Sequence, residues 1–488
     1  MRKPLILAIA IVAITAGVGF AWTEPVKIDG ELHLGAPRAV AVGETLHVIA
    51  VNPPRAYYIY SRDNGATWSE PVMPIDTSRR VEQPDLRYSN GTLHLVWREV
   101  IGFPGTWQLF HARSTDSGRS WSVPHQVFNN RTDYLAFPTL AVKGDSLFMA
   151  CVMDGGYPFF RSFDGGQSWP DSTIIDWGDF GIIQYPRLRY AGNVLHFVYP
   201  MLVNGDPFAW EVYYKKSADL GLTWSERIIL SPAESSYIPS QIPYASADSS
   251  GRVLVTWMDY ANGSMCGTSG DIFYRVSLDN GQTWQPIGSI TNTQSGEDSY
   301  SLILGDRFLV AWNDNWLLGC SYPKQAYSTS VDSGWSWHVP QFISGADNAH
   351  EGGPRIVHTI QGADTTFHCF YWKRTEANPG SLFYIRSRDF VAVDEPGPPL
   401  TDKISLVAYP NPFNSSTIIS VTSATEGELA IYNTSGQLVK RFEILEGGDG
   451  RIIWDATDMA GEEVSSGVYI VKYESSGRSV TEKVIYSK

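Results

Sequence analysis

The chain contains few cysteines and few charged side chains. Four cysteines stand among 488 residues, and charged residues make up 18%. Four are too few for a disulfide scaffold, and the spacings CxxC or Cys/His that hold zinc do not occur. We therefore predict neither a metal nor another cofactor. The net charge of −14 argues against nucleic acid as a partner.

Aromatic residues are abundant by contrast. They make up 13% of the chain, including 17 Trp and 25 Tyr. This composition favours β-strands, in which aromatic side chains pack well. A chain of this length also exceeds one ordinary domain, so we expect at least two.

The N-terminus is typical of a signal peptide, which we assign to residues 1–21. Arg2 and Lys3 precede the apolar run 5–16, and Gly19 and Ala21 are small residues at a cleavage position. The alternative is an uncleaved anchor. The apolar run is short for a membrane-spanning helix, so we expect no transmembrane anchor in the mature chain.

An eight-residue word recurs six times. The copies are SRDNGATW, STDSGRSW, SFDGGQSW, SADLGLTW, SLDNGQTW and SVDSGWSW, and their aspartates are Asp63, Asp116, Asp164, Asp219, Asp279 and Asp332. An apolar, alternating segment with a central turn precedes each word, as in QPDLRYSNGTLHLVW at 83–97. A period near fifty residues with such strands indicates a β-propeller of four-stranded blades.

The alternating segment occurs seven times, once more than the complete word. The last unit ends in LFYIRSRDF, and AWTEPVKID at 21–29 resembles TWSEPVMPID at 67–76. We therefore expect the N-terminal strand to complete the last blade and close the ring, which leaves no exposed sheet edge. The sequence predicts an all-β propeller over residues 22–393, with seven blades favoured over six.

The repeated aspartates are predicted to be structural. Each word fits the turn between the third and fourth strands, where an Asp accepts hydrogen bonds from backbone N–H groups and Gly allows a positive φ. Six copies of one catalytic acid have no chemical use, whereas six copies of a turn do. A calcium loop of the EF-hand kind would need further oxygen ligands that do not recur.

These words resemble the Asp-box, or BNR, repeats of the sialidase superfamily. The resemblance covers most of residues 22–393 and implies a propeller fold. It does not by itself imply activity, because similar repeats occur in propellers that are not sialidases.

The register places candidate site residues at the starts of the first strands, around the central channel. The residue after each strand's Pro is Arg38, Asp85, Thr139, Arg187, Tyr244 and Arg355, with Ser301 in the sixth unit. Sialidases hold a carboxylate with three arginines, which would be Arg38, Arg187 and Arg355. The resemblance implies Asp85 as acid/base and Tyr244 as nucleophile, with Glu351 as its base.

Structural alternatives exist for these residues. The three arginines could instead be strand-start residues paired with nearby acids. Trp97, Trp257, Trp312 and Trp372, near the ends of the second strands, would suit a sugar site or the core between blades. Cys266 and Cys320 lie in similar loops of adjacent units and are predicted to form a disulfide, whereas Cys151 and Cys369 are predicted to be buried thiols.

A second domain follows a Pro-rich linker at 394–402. Residues 403–488 contain YPNPFN, LAIYNTSGQLVKRF and WDATDMAGEEVSSGVYIVKY, whose alternating strands predict a small Ig-like β-sandwich. They resemble the type A sorting domain of the type IX secretion system. The resemblance implies export through the periplasm to the cell surface or beyond, with that machinery as a partner. The alternative is an accessory module that binds glycan.

These observations predict a secreted, sialidase-like propeller acting on glycans, an exo-α-sialidase or a related glycoside hydrolase. The competing hypothesis is a non-catalytic propeller that binds glycan or protein through the same face.

Overall fold

The computed structural model of the protein describes the chain between residues 21 and 486, apart from residues 77–78, 102–105, 131–133, 179–184, 204–209, 232–239, 261–269, 292, 316–321, 346, 363, 376–377, 389–404, 410–412, 414–416, 423–426, 445–450 and 476–477. Most of the predicted signal peptide, the linker, Cys266 and Cys320 fall outside these described residues. No segment of the described part forms a helix of the length and hydrophobicity that crossing a membrane requires. The chain divides into two compact units, Met1–Ala392 and Val393–Lys488.

Seven antiparallel sheets form the first unit, and we number them as blades in chain order. The strands of blades 1 to 3 are β3 (Gly35–Val42), β4 (Thr45–Asn52) and β5 (Arg55–Ser61), then β6 (Glu82–Ser89), β7 (Thr92–Ile101), β8 (Thr106–Ser114) and β9 (His125–Asn130), then β10 (Leu135–Lys143), β11 (Ser146–Met153), β12 (Gly156–Ser162) and β13 (Asp171–Trp177). In blade 1 the fourth strand is reduced to a bridge between Tyr58 and Val72.

Blades 4 to 7 repeat this order. Their strands are β14 (Arg187–Ala191), β15 (Val194–Leu202), β16 (Trp210–Ser217) and β17 (Ile228–Ile229), then β18 (Ser240–Ala247), β19 (Val253–Asp259), β20 (Asp271–Ser277) and β21 (Gly288–Ser289), then β22 (Gly296–Leu304), β23 (Arg307–Asp314), β24 (Lys324–Ser330) and β25 (Gln341–Phe342), then β26 (His350–Gln361), β27 (Asp364–Thr375) and β28 (Asn378–Arg388) with β1 (Ala21–Trp22) and β2 (Val26–Lys27).

The ring closes through both ends of the first unit. Ala21 and Trp22 of β1 pair with Arg388 and Ser387 of β28, and β2 pairs further along the same strand. The first strands of neighbouring blades pack on one another, and β26 packs on β3 in the same way. The prediction that the N-terminal strand completes the last blade is therefore confirmed, and the propeller has seven blades.

Both sides of the central strands are buried because each blade lies between two others. In β4, Val48 packs in one apolar cluster with Phe370 of blade 7, whereas its neighbour Ile49 packs in another with Leu95 of blade 2. A strand buried on both faces needs apolar residues at consecutive positions, which explains the sequence TLHVIAVN.

Each repeated aspartate is held within its own turn. Asp63 accepts hydrogen bonds from the Ser61 hydroxyl at 2.8 Å, from the Thr67 N–H at 2.8 Å and from the Thr67 hydroxyl at 2.5 Å. The bonds from Thr67 lower the pKa of Asp63 to about 2. Equivalent Ser and Ser/Thr bonds recur at Asp116, Asp164, Asp219, Asp279 and Asp332.

The turn of Asp63 also fits against the preceding blade. Gly65 has a φ of +81°, and a Cβ there would lie 1.8 Å from the Tyr384 hydroxyl oxygen of blade 7. The Asn64 N–H donates to the Glu44 carbonyl in the turn between β3 and β4 at 3.1 Å. That turn lies at the far end of β3 from the strand start, so the aspartate turns lie on the face opposite the candidate site.

The second unit consists of two antiparallel sheets. Their strands are β29 (Ser405–Tyr409), β30 (Thr417–Thr422), β31 (Gly427–Asn433), β32 (Leu438–Ile444), β33 (Arg451–Trp454), β34 (Gly467–Ser475) and β35 (Arg478–Tyr486). One sheet has the order β29-β30-β33 and the other β32-β31-β34-β35. Trp454, Tyr473 and Leu429 lie at the centre of one apolar core between them. This arrangement agrees with the predicted Ig-like sandwich.

Candidate active site at the propeller axis

A β-bulge interrupts the start of the first strand in six blades. In blade 1 the register shifts between Gly35 and Arg38, and blades 2, 3, 5, 6 and 7 show the same shift. The residues directly after the shift are Arg38, Asp85, Thr139, Tyr244, Tyr300 and Arg355. In blade 4, Arg187 begins β14 and stands four residues before the hairpin end, as Arg38 does in β3.

The bulges place the backbone in a conformation that residues other than Gly rarely adopt. The residue two before each site position has a positive φ: Ala36 47°, Gln83 51°, Phe137 53°, Ile242 50°, Asp298 49° and Gly353 63°. Such strain persists only where the surrounding structure holds it, and it clusters at functional sites. The recurring bulge thus makes the strand starts a second repeated feature of the fold.

The bulge in blade 6 corrects one sequence expectation. Tyr300, paired with Ala311, holds the position after the shift, and not Ser301. Ser301 lies one residue on, where its hydroxyl contacts that of Ser246 at 3.0 Å. Ser299 replaces the Pro of the other strands, so the sequence lacks the marker that fixes the register elsewhere.

The side chains at these positions converge on a small cavity of about 30 Å³ at the propeller axis. Its lining residues are Arg38, Ala39, Asp85, Arg87, Pro138, Thr139, Arg187, Arg189, Tyr244, Tyr300 and Arg355. Two larger clefts of about 430 and 590 Å³ share Arg38 and Arg187 with the cavity, and the larger one also shares Arg355. The strand starts therefore line a funnel that narrows to an arginine-rich cavity.

Two of the three predicted arginines lack an acidic partner among the described residues. No carboxylate oxygen lies within 4.0 Å of Arg38 or Arg187, and Arg355 has only Asp298 at 4.0 Å. Burial, followed by repulsion from neighbouring arginines, lowers the pKa of Arg38 to about 10 and that of Arg187 to about 9. The alternative that each arginine pairs with its own acid therefore does not describe Arg38 or Arg187.

Two groups bind the carboxylate of Asp85. Its carboxylate contacts the Arg87 guanidinium at 3.1 Å and accepts a hydrogen bond from the Leu140 N–H of blade 3 at 2.9 Å. Asp85 thus lies in the cavity, where it neutralises Arg87.

Tyr244 and Tyr300 form a buried pair beside the arginines. Their ring centroids lie 4.2 Å apart, and the guanidinium carbon of Arg189 lies 5.0 Å from the Tyr244 ring. Burial raises the pKa of Tyr244, but the charges of Arg189 and Arg87 and the hydrogen bond with Tyr300 outweigh it, so the net shift is downward. The pKa of Tyr300 is raised, first by burial and then by Tyr244. Tyr244 therefore ionises more readily than an ordinary tyrosine, and Tyr300 less readily.

Glu351 is not among the residues that line the cavity. It is buried in a charged cluster, where Lys324 and Lys373 each lie 3.5 Å from its carboxylate. Burial raises its pKa, against a hydrogen bond from Ser344. It stands four positions before Arg355 in sequence, but the bulge between Gly352 and Arg355 intervenes. Glu351 thus contacts Lys324, Lys373 and Ser344, and its role as a base for Tyr244 stays a prediction.

The structure adds residues that the sequence did not single out. Glu297 lines the larger cleft with the three arginines, and burial raises its pKa. Trp372 lines the same cleft, whereas Trp97, Trp257 and Trp312 are fully buried between blades. The bulge explains why Glu297 was missed, because it precedes Tyr300 by three residues and the sequence shows no register there.

The remaining predictions concern cysteines and metals. Cys151 and Cys369 are buried free thiols, as predicted. The disulfide between Cys266 and Cys320 stays a prediction, since both residues lie outside the described part. Within the described part, no group of three His, Cys, Asp or Glu side chains is arranged to hold a metal ion.

Two protein families match parts of the chain. "BNR repeat-like domain" matches residues 59–310, and "Secretion system C-terminal sorting domain" matches residues 407–487. The second match assigns the C-terminal unit to export by a secretion system. No curated protein matches the sequence.

Solved propellers resemble the chain at low identity. The GH93 α-L-arabinofuranosidase of Fusarium graminearum with arabinobiose is 12% identical, with a TM-score of 0.47 over 75% of this chain and 98% of that chain. The Trypanosoma rangeli sialidase with sialic acid is 12% identical, with a TM-score of 0.43 over 86% of this chain and 84% of that chain. A Dyadobacter fermentans protein of unknown function is 16% identical, with a TM-score of 0.45 over 65% and 97%.

Proposed function

Because the chain belongs to the BNR repeat-like family, we propose that its funnel binds acidic glycans in a sialidase-like manner, with Arg38, Arg187 and Arg355 holding the sugar carboxylate. The observation that carries this proposal is the convergence of three arginines, of which two have no acidic partner in the part of the chain that the structure describes. A guanidinium donates two parallel hydrogen bonds to a carboxylate, so an acidic sugar would supply the missing charge.

The funnel also suits a sugar in its other features. The cleft of about 590 Å³ has the size of a site for a small ligand, and Trp372, Asn313 and Glu297 line it beside the arginines. An aromatic face and polar side chains are what a pyranose ring needs for stacking and hydrogen bonding. The C-terminal sorting domain supports the view that such glycans are met outside the cell or at its surface.

Cleavage of the glycan is a second candidate function, and the lowered pKa of Tyr244 favours it. A phenol needs activation to attack a sugar, and here the arginines and Tyr300 stabilise the phenolate in place of a carboxylate base. Asp85 stays the sequence-based candidate for the acid/base, and its carboxylate lies 3.1 Å from the Arg87 guanidinium. Glu297, with its raised pKa, is the other carboxyl at the funnel.

Binding and cleavage are tested separately on the full chain. An array of glycans should show binding to sialylated members and not to their desialylated counterparts. A fluorogenic sialoside then tests turnover, with Tyr244→Phe as the matched variant. Binding without turnover would assign the non-catalytic function. Equal binding of sialylated and desialylated glycans would refute the proposal.

A further inference from the structure

The cavity below the clefts contains more positive than negative charge. Its lining includes the guanidinium groups of Arg38, Arg87, Arg187, Arg189 and Arg355 but only one carboxylate, that of Asp85. Asp85 neutralises Arg87 at 3.1 Å, and Asp298 reaches Arg355 only at 4.0 Å. Arg38, Arg187 and Arg189 have no carboxylate within 4.0 Å among the described residues.

Such an arrangement is costly without a counter-ion. Guanidinium groups stay protonated in proteins, so they cannot relieve repulsion by losing a proton. Arg38, Arg187 and Arg189 are partly buried, which makes an unpaired charge unfavourable, and Arg38 and Arg187 also repel one another and Arg355. A small anion at the centre of the cavity would offset both costs.

Hydrogen-bond donors are also available at this place. The Nε atom of Arg187 is buried and has no partner. Thr139 lines the cavity, and its hydroxyl oxygen accepts from the Leu188 N–H at 3.2 Å, which leaves its own proton for another acceptor. The volume of about 30 Å³ suits a monatomic anion or one or two waters.

We propose that this cavity binds one chloride-sized inorganic anion, and that the carboxylate of an acidic glycan displaces it. The proposal of an anion site rests only on the geometry and charge of the cavity. Its displacement rests on the proposed function, because both ligands use Arg38, Arg187 and Arg355. The apparent glycan affinity would then depend on chloride itself as well as on ionic strength.

The first test measures thermal unfolding of the full chain in sodium chloride and in sodium methanesulfonate at one ionic strength. Chloride and bromide should raise Tm by about 2 °C or more and then saturate, whereas methanesulfonate, which fits the cavity of about 30 Å³ less well, should raise Tm less. Equal Tm values in chloride and methanesulfonate would refute the site.

Two variants control this test. Arg187→Met should lose the chloride-specific rise, and Arg119→Met, which removes an exposed arginine from an aspartate turn, should keep it. Should Arg187→Met fail to fold, chloride-35 NMR on the wild-type chain decides the question. Specific broadening of the chloride signal that bromide reverses supports the site, and its absence refutes it.

A calorimetric titration with sialyllactose tests displacement. At chloride concentrations ten times its own dissociation constant, the apparent dissociation constant for sialyllactose should rise about tenfold over that in methanesulfonate. Tight binding of sialyllactose with the same dissociation constant in chloride and in methanesulfonate would refute displacement. A chloride-specific rise in Tm with no sialyllactose binding would leave the anion site intact and refute the proposed function.

Discussion

The guanidinium carbon of Arg187 lies 5.3 Å from the centroid of the Tyr244 ring. The guanidinium carbon of Arg189 lies 5.0 Å from the same ring, so one phenol is flanked by two cations that have no carboxylate within 4.0 Å among the described residues. Carboxylate binding and the reactivity of Tyr244 are thus linked, since positive charges that would hold a carboxylate also favour ionisation of a tyrosine.

Tyr244 is therefore expected to ionise below pH 10. Labelling tyrosine with carbon-13 at Cζ and titrating by NMR should show one early transition, which Tyr244→Phe removes. Tyr300→Phe should keep that transition but move it to higher pH, because the stabilising hydrogen bond is lost. Persistence of the early transition in Tyr244→Phe would contradict the assignment.

The close fit of Gly65 against Tyr384 predicts a large cost for Gly65→Ala. The variant forces an alanine to a φ of +81° and brings its Cβ to 1.8 Å from the Tyr384 hydroxyl. Strain and overpacking together should lower the free energy of unfolding by about 2–5 kcal/mol. Gly43→Ala is the control, with a φ of +57° and nothing within 4 Å, and urea unfolding followed by tryptophan fluorescence compares them. Equal costs would show that Tyr384 does not constrain the turn.

The carboxylate of Asp63 should matter for stability and not for binding. Asp63→Ala removes the acceptor of the Ser61 and Thr67 hydrogen bonds, which should cost about 1–3 kcal/mol in urea unfolding. Binding of sialyllactose should be unchanged, because the turn lies on the opposite face. Asp364→Ala, at an exposed position, serves as the control for loss of one negative charge. Loss of binding in Asp63→Ala at full folding would contradict the structural role.

Buried histidines should make the propeller sensitive to acid. Burial lowers the pKa of His47, His94 and His196 to about 4 and that of His111 and His368 to about 3. In the unfolded chain these groups bind protons near pH 6.5, so the unfolded state binds more protons below that pH. Stability is then fully present above pH 6.5 and falls as the pH drops toward 4.

Unfolding free energies measured between pH 7.5 and 4.5 test this expectation. His196→Gln should flatten the decline because it removes one of the groups that becomes protonated on unfolding. A wild-type stability that is constant across this range would contradict it. A mutant as sensitive as the wild type would show that His196 takes no part.

The sequence predicted the ring and its register because these are repeated. Asp63 and its five counterparts mark the turns of six blades, and the Pro before Arg38, Asp85, Arg187, Tyr244 and Arg355 marks the strand starts. Tyr300 was missed where Ser299 replaces that Pro. Glu351 stands four positions before Arg355, but its carboxylate contacts Lys324 and Lys373, because distance along the chain does not show on which side of a bulge a side chain lies.

The clearest test of the central proposal is a calorimetric titration of the full chain with sialyllactose and with lactose. We predict binding of sialyllactose only, weakened about 10–100-fold by Arg187→Met through loss of charged hydrogen bonds, and unchanged by Arg119→Met. Equal affinity for the two sugars, or an Arg187→Met variant that binds as the wild type does, would contradict the account.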